Sequence, residues 1–297
     1  MKIKKRESNM ELLRIVAILL IIVFHISYHC IYTQLTSAES IALLNNGIFN
    51  YPYIYKRLFI LALIFPLGQV GNSLFMLITG YFMISKKSID ITKITKKLLL
   101  QLGFSVLCLG ISSIVIYNFV NKYSLNLVSF NAFNNISWYI GYYFLIVLFA
   151  KLFLNKYLNK LDNKKYIMFL MVLLGLTQFS WAISLINSFI SGSIKLFSGI
   201  FLYSLGGYIK KYNPFNNIKI WTLILSIILI NLIVIGNFYI NTANNINSYI
   251  EGNTFIQNIP RYGDNELLPI ALGVIVFELF RRIKIPYNKI INYINGK

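Results

Sequence analysis

The sequence predicts an all-helical protein that crosses a membrane several times. Of its 297 residues, 57% are hydrophobic and 12% are charged, about half the charged fraction of a soluble domain. The mean hydropathy is +0.65, and apolar runs of about 20 residues, enough to cross a bilayer, recur along the chain. Lys and Arg number 28 against 9 Asp and Glu, a net charge of +19. A membrane protein with its cations in the loops of one face accounts for all of this, so we expect no nucleic-acid partner.

We predict eight transmembrane helices in one integral-membrane domain that covers residues 1–297. The second apolar segment contains Pro66, Gly68 and Gly71, which predict a break or kink inside it. In chain order, the predicted spans are residues 12–32, 58–84, 97–119, 137–155, 166–187, 189–209, 218–240 and 267–283.

The distribution of lysine and arginine predicts that both termini are cytoplasmic. With eight spans, 22 of the 28 cations lie in the two termini and in the loops on the same face, and five lie in the other loops. Cytoplasmic loops carry such an excess. The basic N-terminus and its apolar run lack a small-residue cleavage site after them, so we expect the first helix to be retained. The remaining cation is Arg14, inside that helix.

The first span carries most of the titratable residues expected within the membrane. Arg14 and His25 are eleven residues apart, close to three helical turns, so they share one face at a separation of about 16 Å. Glu11 precedes Arg14 by three residues and His29 follows His25 by four. Ionisable groups within a span usually face a protein interior or a water-filled cavity.

Each of these residues has a purely structural interpretation. Arg14 can extend toward the headgroups with Glu11 as its partner, and a histidine within a span can be a hydrogen-bond donor to another helix. His25 and His29 have the spacing of a metal pair, but no other helix offers an obvious third ligand, so we expect no metal site. A neutral imidazole is also a competent general base, and these are the only two histidines of the chain.

Several segments resemble one known family. Arginine, ten residues and then histidine in the first span is similar to the signature of the membrane acyltransferase-3 family, and Asn9–His25 resembles the N-terminal segment of bacterial surface-polysaccharide acetyltransferases. Residues 68–87 look like the family's glycine- and phenylalanine-rich segment, and residues 93–99 occupy the place of its basic pattern. Residues 138–155 and 203–212 resemble its later spans. The resemblance covers nearly the whole chain.

The resemblance implies an enzyme of the bacterial cell membrane. Such an enzyme transfers an acyl group, here most simply acetyl, from cytoplasmic acyl-CoA to a hydroxyl of a cell-surface glycan or lipid-linked sugar. His25 is then the catalytic base, and Arg14 holds an anionic part of the donor. Acyl-CoA is a donor substrate, and we expect no tightly bound cofactor. Lys93, Lys96 and Lys97 could hold the CoA phosphates, or they are ordinary cytoplasmic lysines beside an interfacial helix.

Further polar and aromatic residues are candidates for substrate binding. The second span places amide, hydroxyl and phenol groups near small residues, which also permit close helix packing. Trp138 begins the predicted fourth span, where an aromatic belt is the ordinary interpretation and a platform for a sugar ring is the alternative. The candidate set is Glu11, His29, Asn72, Ser73, Thr79, Tyr81 and Trp138.

The sequence departs from the family pattern at three places. Thr79 and Met76 stand where the family usually has serine and a second phenylalanine, and lysines replace its paired arginines. The end of the chain, Asn288–Lys297, resembles the stretch that leads into a further C-terminal helix, which we expect to be missing. The rival function is a transporter or flippase of a lipid-linked sugar or polysaccharide, in which Glu11, Arg14, His25 and His29 relay protons.

Overall fold

The computed structural model describes residues 7–32, 57, 60–61, 63–64, 66–86, 88–119, 130–179, 191–244 and 266–294, and in this part of the chain every regular element is helical. Two π-helical segments, Ser27–Tyr32 and Ala150–Leu154, extend the helices before them. The α-helices are α1 Ser8–Ile26, α2 Leu67–Met83, α3 Ile91–Phe119, α4 Phe130–Phe149, α5 Asn155–Lys160, α6 Asn163–Phe179, α7 Ile194–Tyr212, α8 Ile220–Asn244, α9 Leu267–Arg282 and α10 Lys289–Ile294.

The apolar segments predicted from the sequence coincide with helices, but several ends differ. Helix α3 begins at Ile91, six residues before the predicted span, because the Asp90 carboxylate accepts the backbone N–H of Lys93 at 3.0 Å and so caps its first turn. Helix α4 begins at Phe130, so Trp138 lies two turns inside the helix instead of at its start. In the second predicted span α2 begins directly after Pro66, and residues 180–190 of the fifth and sixth spans lie outside the described part.

Helix α2 is the centre of the bundle. Most of its side chains are buried, and α1, α7 and α9 pack around it. A Cβ added to Gly68 would lie 2.5 Å from the ring of Phe24, and one added to Gly71 would lie 2.6 Å from Ile21. Because Phe24 meets Gly68 while Arg14 lies over Phe82, α1 runs antiparallel to α2. The glycines therefore serve helix packing, one of the two interpretations that the sequence allowed.

Small residues also bring α7 and α9 close to α2. A Cβ on Gly80 would overlap the carbonyl oxygen of Tyr203, and a Cβ on Gly206 would overlap that of Leu77. On the other side, a Cβ on Gly273 of α9 would lie 2.8 Å from the Cβ of Ser73. Close backbone approach of this kind is typical of helices that pack within membranes.

Polar side chains join α2, α5, α6 and α7 at one end of the bundle. The Tyr203 hydroxyl donates to Asn155 Oδ1 at 2.8 Å, and Asn155 Nδ2 donates to the carbonyl of Met83 at 2.9 Å. The Tyr166 hydroxyl donates to the carbonyl of Ser204 at 2.9 Å. These bonds satisfy buried polar groups across four helices, so this end of the bundle is specified by hydrogen bonds as well as by packing.

Three described helices are long and apolar enough to cross a membrane: Ser8–Ile26, Ile91–Ser112 and Trp138–Lys160. Ile220–Gly236 is a shorter apolar helix. None of the Ile91–Ser112 window is buried, and large apolar side chains such as Phe104 and Leu107 are exposed on it. A bilayer provides the apolar surroundings that such a surface needs.

Candidate functional site

Arg14 is held by a buried carboxylate on its own helix. Its Nη1 donates to Glu11 Oε1 at 2.5 Å, and the Glu11 side chain is 6% exposed while that of Arg14 is 30% exposed. The Arg14 guanidinium carbon lies 5.8 Å from the centre of the Phe82 ring, within range of a cation–π contact. The ion pair that the spacing of Glu11 and Arg14 predicted is confirmed, and it fixes the guanidinium at the interface between α1 and α2.

Tyr143 of α4 links this guanidinium to Thr79 of α2. The Thr79 hydroxyl donates to the carbonyl of Phe75 at 2.7 Å. The Tyr143 side chain of α4 interacts with the Thr79 hydroxyl and is within electrostatic range of Arg14. Residues of α1, α2 and α4 therefore meet near Arg14, with Thr79 linked to Arg14 through Tyr143. Substrate binding by Thr79 stays a prediction.

His25 lies on the same unbroken helix as Arg14, near the other end of α1. Its Nδ1 is 2.8 Å from the carbonyl oxygen of Ile21, and its ring meets the edge of the Phe24 ring at a centroid distance of 5.1 Å. Phe24 in turn packs against Gly68. The side chain of His25 is exposed in the described part of the protein.

His29 follows in the π-helical segment Ser27–Tyr32, and its side chain lies outside the described residues. A π-helical turn is uncommon and occurs often at functional sites. Within the described residues no three His, Cys, Asp or Glu side chains form a group that could hold a metal ion.

Tyr81 lies at a second charged group, at the C-terminal ends of α2, α7 and α9. The Lys210 ammonium is 4.4 Å from the centre of the Tyr81 ring and 3.4 Å from its hydroxyl oxygen. The Arg281 guanidinium also interacts with the Tyr81 hydroxyl. The Phe277 ring packs against the Tyr81 ring at a centroid distance of 5.6 Å.

Glu278 binds both arginines at the end of α9. Its carboxylate, which is 1% exposed, accepts Arg281 Nε at 2.8 Å and Arg282 Nε at 2.6 Å. Arg281 also donates to Asn213 Oδ1 at 2.5 Å, and Arg282 donates to the carbonyls of Phe215 and Ile218. The i+3 and i+4 spacing of the arginines from Glu278 places all three side chains on one face of α9, and their bonds connect α9 to the turn after α7.

Trp138 belongs to a group of aromatic side chains on α4. Its ring contacts Tyr139 and Tyr142 at centroid distances of 5.6 and 5.8 Å, and the Lys195 ammonium lies 5.0 Å from its centre. The Trp138 side chain is 43% exposed. Tyr139 also contacts Phe75 of α2, so this group adjoins the Arg14 group through α2.

The three candidate lysines lie on the first two turns of α3, and all are exposed. Lys96 lines an open groove of about 550 Å³ together with Thr92, Thr95 and apolar residues of the same helix. On α2, Ser73 is fully buried at the contact with Gly273 and Asn72 is partly buried. The structure thus brings Glu11 and Arg14 together, with Thr79 linked to them through Tyr143, and places Lys93, Lys96 and Lys97 on a different helix, α3.

Two residues of these groups were missed by sequence reasoning as site residues. In the sequence, Tyr143 is one of the aromatic residues in the predicted fourth span, and Lys210 is one of the cations of the predicted cytoplasmic face. Lys210 and Arg281 are 129 and 200 residues beyond Tyr81, and no local pattern links them. Only the spacing of Glu278 with its two arginines gave a signal in the sequence.

The described helices and their exposed apolar faces define a membrane protein. The sequence model of the acyltransferase-3 family, described as an acyltransferase domain, matches residues 7–296, so the chain belongs to this family. No curated protein matches the chain, and no solved structure matches it.

Proposed function

We propose that the protein transfers an acetyl group from cytoplasmic acyl-CoA to a hydroxyl of a cell-surface glycan or lipid-linked sugar. The observation that carries the proposal is the first helix: Ser8–Ile26 is one continuous α-helix that contains both Arg14 and His25. Their separation along the axis is about 16 Å. An anion-binding group and a base on one face of a helix suit a long donor whose charged and reactive ends are far apart.

In this mechanism His25 is the general base. Its ring accepts the proton of the acceptor hydroxyl, the hydroxyl oxygen attacks the thioester carbonyl, and the CoA thiolate leaves. Arg14, held by Glu11 against Phe82, binds an anionic part of the donor by charge-assisted hydrogen bonds. Lys93, Lys96 and Lys97 add positive charge for the CoA phosphates.

The same proposal includes eight spans with both termini in the cytoplasm of a bacterium. Helices α2, α4, α7 and α9 run in one direction, as their paired contacts require, and α1 runs in the other. This alternation supports the predicted topology, in which the cytoplasmic ends of α2, α7 and α9 carry lysine or arginine. Trp138 and His29 remain proposed contacts of the acceptor.

Membership of an acyltransferase family favours this function over the transporter. A proton-coupled flippase would respond to a proton gradient and need no acyl-CoA. Acetyl transfer that continues without a gradient would exclude the transporter.

The test is acetyl transfer from labelled acetyl-CoA by the purified protein in phospholipid nanodiscs, with mass spectrometry of the glycan product. His25→Ala should abolish transfer while the protein still inserts and elutes as the wild type does. Asn231→Ala is a matched control, because Asn231 donates to the carbonyl of Ile227 on α8 in a similar i−4 geometry. Full activity of His25→Ala would refute the mechanism.

A further inference from the structure

Two cations converge on one neutral oxygen at the C-terminal end of α2. The Lys210 ammonium is 3.4 Å from the Tyr81 hydroxyl, and the Arg281 guanidinium lies within electrostatic range of the same hydroxyl. Tyr81 itself is 8% exposed, so this meeting point lies just beneath the surface. Two cations that lie close to the same oxygen repel one another unless a negative group lies nearby.

The nearby carboxylate does not reach Lys210. Glu278 uses both of its oxygens on Arg281 and Arg282. In this group three cations therefore face one carboxylate, and Lys210 is the cation that the carboxylate does not bind. An ammonium has three donors, and the long contact to Tyr81 uses one of them.

The neighbouring lysine is bound quite differently. Lys211 Nζ donates to the carbonyls of Asn159 and Leu161 at 3.1 and 2.8 Å. Both lysines are exposed and occupy consecutive positions in the last turn of α7, where the helix dipole favours any cation equally. Both ammonium groups lie near tyrosine rings, but only that of Lys211 also donates to backbone carbonyls within the described residues.

We propose that Lys210, Tyr81 and Arg281 form a binding site for a phosphate group. Lys210 and the Tyr81 hydroxyl donate hydrogen bonds to the phosphate oxygens, and Arg281 adds charge from a fixed position. We assign the phosphate to the acyl-CoA donor, an assignment that rests on the proposed function. Tyr81 and Phe82 are consecutive, and Arg14 lies over Phe82, so a donor with several phosphates can meet cations on both sides of α2.

The experiment measures binding of CoA, without transfer, to the full chain in dodecyl maltoside micelles, which contain no phosphate. Lys210→Gln should weaken CoA binding about tenfold, the loss expected for one charge-assisted contact. Lys210→Arg should restore most of the affinity. Lys211→Gln, which removes the same charge one residue away, should bind CoA as the wild type does. Pantetheine, which has no phosphate, should bind the wild type and Lys210→Gln equally.

Equal weakening by Lys210→Gln and Lys211→Gln would overturn the site, because it would show that only net charge matters. A second arm adds phosphatidic acid to the micelles and follows thermal stability. If phosphatidic acid stabilises the wild type but not Lys210→Gln, and both proteins bind CoA equally, the assignment to the donor is overturned in favour of a lipid headgroup. If the variants bind CoA in the expected order but the wild-type protein transfers no acetyl group, the phosphate site is supported and the proposed function is contradicted.

Discussion

The backbone of Gly80 lies directly against the backbone of Tyr203, with no room for a side chain between them. A Cβ at Gly80 would overlap the Tyr203 carbonyl oxygen and lie 2.7 Å from its carbonyl carbon. The obstacle is backbone and not the end of a flexible side chain, so α2 and α7 would have to separate. Helix α2 carries Tyr81 and α7 carries Lys210, so the spacing of these helices sets the geometry of the Tyr81 group.

We therefore expect Gly80→Ala to destabilise the protein by about 1–3 kcal/mol, the usual cost of overpacking. Gly103→Ala is the matched control, because nothing lies within 4 Å of a Cβ at that position of α3. Alanine has the higher helix propensity, so this control should be neutral or slightly stabilising. Thermal unfolding, followed by fluorescence-detection size-exclusion chromatography, checks both variants. Equal melting temperatures of the two variants would contradict the close packing of α2 on α7.

The Asn155 side chain links α5, α2 and α7 by accepting from Tyr203 and donating to Met83. Tyr203→Phe should lower the free energy of unfolding by about 1 kcal/mol, since one hydrogen bond is lost. Asn155→Ala should cost about 1–3 kcal/mol, because it also leaves the buried Tyr203 hydroxyl without its acceptor. The double variant should lose less than the sum. Denaturation in mixed micelles measures all three, and strict additivity would argue against the bond.

How much the sequence predicts is clear from α4 and its π-helical extension. The apolar run at 137–155 located the helix, since hydropathy reports the part that can lie in lipid. It missed Phe130–Ile136, where three asparagines lower the mean hydropathy although the helix continues. It also missed the π turn at Ala150–Leu154, because no residue type encodes it. The turn precedes Asn155, whose partners are 48 and 72 residues away in the sequence.

At the candidate site, too, the sequence predicts local pairs but not the contacts between helices. The i, i+3 spacing predicted the Glu11–Arg14 pair, because one helical turn brings such residues together, and the same spacing accounts for the Glu278–Arg281 pair. Contacts of Arg14 with Phe82 and of Lys210 with Tyr81 arise from the packing of α1 and α7 on α2. Tertiary packing of this kind leaves no periodic signal in a single sequence.

The buried Glu278 carboxylate should matter more for stability than any exposed ion pair. Glu278→Gln removes the charge that two partly buried arginines share, and loss of one partner of a buried pair costs about 3–5 kcal/mol. Lys165→Gln is the comparison, since the Lys165–Asp162 pair is exposed and such pairs contribute about 0–1 kcal/mol. Thermal unfolding should separate the two variants, and equal shifts would show that Glu278 is not the anchor of α9.

Asp162 gives a pH dependence at the start of α6. Its carboxylate accepts the backbone N–H of Lys165 at 2.8 Å, and this bond holds the pKa of Asp162 below its usual range, with the Lys165 ammonium adding to the effect. Because the folded pKa is the lower one, the stabilisation is present above the unfolded value of about 4 and is lost as the pH falls through the folded value. Asp162→Ala should thus melt below the wild type at pH 7 and approach it at pH 3. A constant difference between the two pH values would contradict this role of the charge.

Glu11 should control how well Arg14 binds the donor without taking part in the reaction. The Glu11 carboxylate fixes the guanidinium at 2.5 Å, so Glu11→Gln keeps a side chain of similar shape but removes the charge that orients Arg14. We expect the KM for acetyl-CoA to rise about tenfold with kcat little changed, the pattern of an interaction made equally in the ground and transition states. Glu7→Gln, on the exposed residue before α1, is the control and should leave both constants unchanged. A fall in kcat with constant KM in Glu11→Gln would instead place Glu11 at the reacting groups.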